Sequence, residues 1–423
     1  MNDVPPPLSV PVDAERLWRS HVDMARIGAT AGGGVCRLAL TDVDRDSRDL
    51  FSAWAVEAGC AVRIDRLGNI FARRPGTDPD AAPVMTGSHL DTQPLGGRFD
   101  GAYGVLAGLE VVRALNDAKV RTRAPIDIVV WTDEEGCRFT TKTMCSAVFA
   151  GMLSADAVLD AVDPDGRRFG DELARIGYAG DAPCGGYPVA AYLEAHIEQG
   201  PILEAEGVPV GAVLGAQGQR TFQVTVTGEE GHAGTLPMTL RKDAFLGAAR
   251  MADVLNAVAF RFEPNPVITV GHVRVRPNSR NTVPGQCVFT IDSRHPDADT
   301  LSAIKAEMTA ACERIAADMG LDLEILETGV SPVTTFDAGL VEAVRRAAAA
   351  EGLACRDMFS GAGHDACKIA TVAPSAMIFV PCKDGVSHTE REDADPADLA
   401  AGTAVLARVV LEAAGRGQTW DCN

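Results

Sequence analysis

Thr86–Gly101 reads TGSHLDTQPLGGRFDG, and its reading decides the fold. The apolar run Pro83-Val84-Met85 enters it as a strand, and Ala102 to Lys119 leaves it with helical spacing. A strand, a glycine-rich turn bearing His89, Asp91 and Asp100, and then a helix make the start of an α/β crossover. Working outward, Ile126 to Thr132 is a strongly apolar strand with Asp133-Glu134-Glu135 just past its end. Val189 to Ile197 is strand-like and carries His196 near its end, and Ala376 to Val380 leads into a loop holding His388. Alternating strands and helices predict a largely parallel sheet, in which ligands gather beyond the carboxyl ends of the strands. Four strand ends thus bring acids and three histidines to one place, and the simplest common cause is a metal.

The rest of the chain supplies the frame. Residues 13 to 28 and Asp42 to Ala58 have helical spacing, and Ala61 to Asp65 forms a hairpin with Asn69 to Arg73. From about Arg220 to Thr334 the pattern is Phe222–Thr227 strand, Lys242–Val258 helix, Val267–Val275 and Gln286–Asp292 strands, a helix over 299–319 and a strand Leu321–Leu326. That order, βαββαβ, is a split βαβ or ferredoxin-like unit set between the third and fourth ligand-bearing strands. The expected organisation is an α/β domain in two parts, 1–219 and 335–423, with an inserted domain at 220–334 that can move as a lid. After the insertion come a helix over Ala338–Gly352, FSGAGHDACK as a loop entering another helix, and a closing helix over Asp395–Gly415. PPPLSVP near the N-terminus is the one low-complexity segment.

Composition bounds the chemistry. With 423 residues the chain exceeds one ordinary core, and 46% hydrophobic content suffices for two. Thirty-nine basic against 58 acidic residues give a formal charge of -19, which argues against nucleic acid and anionic membrane surfaces as partners. No apolar run approaches the roughly 20 residues of a membrane span, and MNDVPPPLSVPVDAERL has acids where a secretory leader needs basic and apolar residues. A cytoplasmic location is expected. Eleven scattered cysteines without a CxxC pair fit free thiols rather than structural zinc or a disulfide framework. Cys137 and Cys382 lie near site residues with nothing beside them that would activate a thiolate.

Within His89-Leu90-Asp91, strand periodicity would place Asp91 beside His89, where it could accept the second ring N–H. Asp100 at the mouth of a helix could bridge two cations. Adjacent Glu134 and Glu135 would repel each other when buried unless a cation balances them, so one can ligate while the other stays free as a base. His21, His272 and His295 fall outside the pattern and read as structural.

Over nearly its whole length the chain resembles the hydantoinase/carbamoylase branch of the dinuclear metallo-aminoacylase/peptidase family. That branch contains N-carbamoyl-L-amino-acid hydrolases, β-ureidopropionases and allantoate amidohydrolases. GSHLDTQPLGGRFDGAYGVLAGLEV, WTDEEGCRF, EAHIEQGPILE, GEEGHAGTLPM, NTVPG with the following IDSR, SGAGHDA and IFVPCKDGVSHTE carry the resemblance. It implies a metallopeptidase-like catalytic domain whose insertion serves as lid and dimerisation domain, and two divalent metal ions per subunit, zinc first and manganese, cobalt or nickel as alternatives. His89 and His196 would hold one metal each with other ligands, Asp100 would bridge the pair, and Glu135 and His388 would complete the second site. Glu134 would be the general base with Asp91 behind His89. Gln199, His232, Asn281, Arg294 and Gly363 would bind substrate, His232 reaching in from the partner subunit of a homodimer. An acid is usual at the position of His196 in the peptidase relatives, and Asn is frequent at that of Asp133. The implied reaction is cleavage of the ureido C–N bond of an N-carbamoyl-L-amino acid to amino acid, ammonia and carbon dioxide. Allantoate or ureidopropionate is the nearest alternative substrate, and a dipeptidase, an aminoacylase or a catalytically silent binding protein are the more distant readings.

Overall fold

The computed structural model describes residues 10–139, 141–262 and 266–415. Residues 5–9, which begin the Pro-rich stretch, lie outside the described residues. The chain divides into two compact units: one runs to Gly215 and resumes at Thr335, and the other spans Ala216–Thr334.

In the first unit the strands are β1 (Ala61–Ile64), β2 (Ile70–Arg74), β3 (Val84–His89), β4 (Ile126–Trp131), β5 (Ala191–Ile197) and β6 (Val210–Ala216). After the insertion come β13 (Thr334–Thr335), β14 (Cys355–Ser360) and β15 (Ser375–Val380). They form one sheet in the order β1-β2-β4-β3-β5-β15-β6-β13, with β14 beside β6. Its centre is parallel: β4 to β3, β3 to β5 and β5 to β15. The flanks, β1 with β2, β2 with β4, and β6 with β15, are antiparallel. Every residue of β3, β4, β5 and β15 is buried, as expected of central strands covered on both faces. The helix Ala102–Asp117 packs on β3 and is apolar around nearly its whole circumference, because the closing helix Pro396–Ala414 covers its other side.

Several pieces differ from the sequence expectations. Strand β6, VGAVLGA, has neither alternation nor β-branched weight and shows no strand pattern until it pairs with β15. Phe359 and Ser360 belong to β14 rather than to a loop. Short helices at Met144–Phe149, Ala155–Leu159 and Phe169–Arg175 fill the stretch between β4 and β5; at five to seven residues they are too short for a periodic signal.

The second unit contains β7 (Gly218–Thr227), β8 (Gly231–His232), β9 (Val267–Arg276), β10 (Thr282–Val283), β11 (Gln286–His295) and β12 (Asp322–Ser331). Helices Ala244–Ala259 and Ala298–Met319 lie between β7 and β9 and between β11 and β12. Strands β12-β7-β11-β9 make an antiparallel sheet, and β8 pairs with β10 in a small separate ladder. Phe222, Val224, Val226 and Phe289 on the sheet meet Met251, Leu255, Ile304 and Met308 on the helices in a core of its own. Among the described residues no helix is long and apolar enough to cross a membrane.

Candidate metal centre

The parallel strands of the first unit all end on one side, and their ends build the site. His89 closes β3, and its Nδ1 lies 2.9 Å from the Asp91 carbonyl oxygen. His196, the penultimate residue of β5, has its Nδ1 2.9 Å from the Ile197 carbonyl. Backbone carbonyls accept only from N–H, so both rings are oriented with Nε2 toward the centre. Asp100 sits between them. Its Oδ1 is 3.2 Å from His196 Nε2 and 3.9 Å from His89 Nε2, while its Oδ2 is 3.3 Å from His388 Nε2. His388 Nε2 is in turn 3.7 Å from Glu135 Oε2. One carboxylate therefore takes part in two donor groups, His89–Asp100–His196 and Asp100–Glu135–His388, and within each the donor atoms lie within 4.8 Å of one another; His89 and His196 fall in the same group rather than one in each, because β3 and β5 end side by side. Gly101, at φ 64°, makes the close approach possible, since a Cβ there would stand 2.3 Å from the His89 ring.

Asp91 does something other than the strand rule suggests. β3 ends at His89, so Asp91 lies beyond the pleat, and its carboxylate is 3.9 Å from His89 Nδ1. Instead Oδ1 and Oδ2 accept from the backbone N–H groups of Glu134 and Glu135, at 3.3 and 3.2 Å. Asp91 thus orients His89 through its main chain and the Glu134-Glu135 turn through its side chain. Asp133 enters that turn at φ 56°, a left-handed conformation that Asn and Asp tolerate best among non-glycine residues. Glu134 Oε2 lies 3.7 Å from His89 Nε2 and belongs to neither donor group.

Electrostatics follow from packing acids out of water. Burial, reinforced by Glu135, pushes the Glu134 carboxyl up to about 8, although His89 opposes it. Burial works against charge on His89, but Glu134, Asp91 and Asp100 outweigh it and lift the imidazole well above its ordinary value. Burial opposes His196 in the same way, and Asp100 carries it to about 9. Asp100 itself would be raised by burial, yet His196 and His388 hold it well below the usual carboxylate range. Among the described residues, only histidines come within ion-pair distance of Asp91, Asp100, Glu134 and Glu135. Glu135 Oε1 is buried with no hydrogen-bond partner, while Oε2 accepts from Gln93 Nε2 at 2.6 Å. An under-neutralised carboxylate cluster with imidazole nitrogens, an orphaned carboxylate oxygen and no thiolate fits a borderline divalent cation. Among the described residues no cysteine sulfur joins these donor groups, and burial pushes the thiols of Cys137 and Cys382 up to about 12.

Of the residues read as substrate-binding, Gln199 is at the centre: its Nε2 donates to Asp100 Oδ2 at 3.0 Å and lies 3.3 Å from Ser387 Oγ. Gly363 precedes His364, whose ring centroid is 4.6 Å from that of His196. His232, Asn281 and Arg294 belong to the second unit and fall into two places. His232 pairs with Thr282 across the β8–β10 ladder, and the Asn281 carbonyl accepts from Ala233 N at 2.8 Å, so these two are neighbours. Nδ1 of His232 accepts from Gly234 N and Thr235 N, at 3.0 and 3.2 Å, which leaves Nε2 as the N–H donor. Arg294 stands near the far end of β11, eight residues beyond Gln286 or about 27 Å at ~3.4 Å per residue, with its fork on Asp292 at 3.0 and 2.9 Å.

Sequence reasoning missed Glu194 and His364. Glu194 accepts from Ser88 Oγ at 2.6 Å, Ala366 N at 3.0 Å and Tyr192 OH at 3.2 Å, and with His196 and His364 it forms a third buried group whose donor atoms lie within 4.8 Å of one another. The two-residue spacing of Glu194 and His196 on one strand was the available signal.

The model of peptidase family M20/M25/M40 matches residues 85–412. An N-carbamoyl-L-amino-acid amidohydrolase of Rhizobium meliloti is 47% identical over 403 residues, covering 95% of this chain and 97% of that protein. A crystal structure of a hydantoinase/carbamoylase family amidase from Burkholderia multivorans is 53% identical, with a TM-score of 0.94 over 96% of this chain and 98% of that one. The allantoate amidohydrolase of Escherichia coli is 34% identical over 92% of this chain and 96% of its own length. The chain belongs to peptidase family M20/M25/M40, in its hydantoinase/carbamoylase branch. It is a hydrolase of C–N bonds in linear amides, and the family is metal-dependent.

Proposed function

We propose that this protein hydrolyses N-carbamoyl-L-amino acids, R–NH–CO–NH2 + H2O giving R–NH2, CO2 and NH3. The observation that carries the reading is the bridging placement of Asp100, one oxygen in each donor group, with Glu134 beside His89 and outside both. His89, Asp100 and His196 would hold one divalent ion, and Asp100, Glu135 and His388 a second, with zinc the first choice and manganese, cobalt or nickel alternatives. Bound there, such ions polarise a carbonyl and make water a better nucleophile near neutral pH.

The chain's own residues do the rest. Glu134, raised by burial and held down by the cations that would sit beside it, takes the proton of the attacking water as a carboxylate and delivers it to the leaving nitrogen. Gln199 and the backbone at Gly363 position the ureido group. Arg294 offers its planar guanidinium to the substrate carboxylate, with Asn281 adding donors. His232 Nε2–H stabilises the developing oxyanion.

The second unit is read as a ferredoxin-like lid and dimerisation domain. Its βαββαβ order with sheet order β12-β7-β11-β9 supports the first part, and exposed Val267 and Val273 on edge strand β9 support a homodimer. The placement of His232 and Asn281 at the β8–β10 ladder and of Arg294 near the far end of β11 supports a division of labour in which each active site takes His232 from the second copy.

A substrate panel tests the reading: N-carbamoyl-L- and D-amino acids, N-carbamoyl-β-alanine, allantoate and a dipeptide, each with zinc, manganese or cobalt. The highest kcat/KM is expected for an N-carbamoyl-L-amino acid. Preference for allantoate would transfer the assignment to that substrate, and hydrolysis of the dipeptide alone would overturn it.

A further inference from the structure

Asp100 and His388 stand on different loops, and one buried side chain outside both donor groups touches each loop. Glu392 is 1% exposed, four residues past His388. Its Oε1 accepts from two successive amides of the other loop, Phe99 N at 2.9 Å and Asp100 N at 3.0 Å. Its Oε2 lies 2.9 Å from Ser387 Oγ, and that hydroxyl is also 3.2 Å from Asp100 Oδ2. The glutamate therefore holds the Asp100 main chain directly and Ser387 beside it, whose hydroxyl stands next to the carboxylate oxygen that faces His388.

The surroundings are shaped for this contact. A Cβ on Gly97 would lie 2.0 Å from Glu392 Cδ, so the 97–100 loop lies directly on the side chain. His388 adopts φ 58°, a left-handed conformation costly for a non-glycine residue, and persists there only if the surroundings hold it. A second tie between the loops, Arg98 to Asp393 at 2.8 Å, is at the partly exposed rim and contributes little.

We propose that Glu392 is a positioning residue that locks the Asp100 loop to the His388 loop and so sets the donor geometry of Asp100–Glu135–His388. It acts through Asp100 and Ser387 and touches no reacting atom. The inference rests on the metal reading of the site, and the test separates the two. Full-length protein is freed of metal and titrated with Co2+, reading ions bound per chain, affinity and the visible d–d absorption.

Glu392→Ala should weaken one of the bound ions roughly ten- to a hundredfold and alter the absorption, as loss of a residue behind a ligand does. Glu392→Gln should stay within about threefold of the unaltered protein, because its Oε1 can accept both amides and its NH2 can donate to Ser387 Oγ. Arg98→Ala, at the rim, should change affinity less than about threefold. Wild-type affinity and spectrum in Glu392→Ala would overturn the proposal, and so would a Glu392→Gln protein as damaged as Glu392→Ala, since charge rather than position would then be the cause. If Glu392→Ala does not fold, Ser387→Ala carries the test: loss of several-fold in affinity supports the lock, and unchanged affinity overturns it. Failure of the unaltered protein to take up Co2+ would overturn the metal reading and the lock with it.

Discussion

The two donor groups share Asp100 and little else. His89 and His196 are carried by parallel strands β3 and β5, their side chains are 3% and 1% exposed, and backbone carbonyls set their rings. Glu135 and His388 stand on connections past β4 and β15, and the His388 side chain is 40% exposed in a left-handed turn. One side is built by sheet register. The other is built by side chains placed behind the ligands: Asp91 under the Glu134-Glu135 turn, Gln93 on Glu135, and Glu392 behind Ser387 and Asp100. His89 and His196 are each held by a ladder on one flank, opposite Trp131 and Phe379, whereas a loop residue is only as well placed as the contacts behind it.

The largest expected effect separates the proposed ligands from the proposed base. Glu134→Gln should lower turnover roughly a hundred- to ten-thousandfold while bound metal stays at the level of the unaltered protein. Near-normal turnover would remove Glu134 from the chemistry, and loss of metal would make it a ligand. Next, a chelator should strip metal in two phases, the faster from the half-exposed side. His388→Ala should abolish the fast phase and His196→Ala the slow one; a single phase insensitive to both would dissolve the distinction between the sides.

The smallest effect concerns what backs the buried side. His21 packs against Phe99 and Tyr103 with neither ring nitrogen hydrogen-bonded, and burial, assisted by Arg98 and Arg37, lowers its pKa to about 3. The folded value lies below the unfolded one of about 6.5, so this contribution to stability is complete above that pH and is lost as pH falls from there toward 3. Between pH 7 and 5 the loss attributable to His21 is about 2 kcal/mol. His21→Phe should lose less stability over that interval by this amount in denaturant unfolding; parallel pH profiles would show that His21 does not titrate on unfolding.

The contrast between the two sides also explains what was legible in the sequence. The apolar runs before His89, Asp133 and His388 identify central parallel strands, and the rule that ligands gather at carboxyl ends brings their neighbours together without any contact being known. The same reasoning fails one step past the strand. It expects the Asp91 carboxylate on His89, whereas the pleat has ended and the side chain turns to the Glu134-Glu135 amides. Glu392 and Gln93 had no periodic signal at all, because their roles arise from loops that meet only in three dimensions. In the second unit the element order was readable from alternation, but not that His232 belongs to the small β8–β10 ladder while Arg294 stands near the far end of β11. Register and strand order decide that, not composition.

The central claim is that this donor set makes a metal-dependent amidohydrolase. Its most direct test follows bound metal and hydrolysis of an N-carbamoyl-L-amino acid in the same samples while metal-free protein is titrated with manganese or zinc. Activity should be absent without metal, rise with bound ion to a plateau at two per chain, and fail to appear in His89→Ala. Full turnover in the metal-free protein, or a plateau unchanged by His89→Ala, would contradict it.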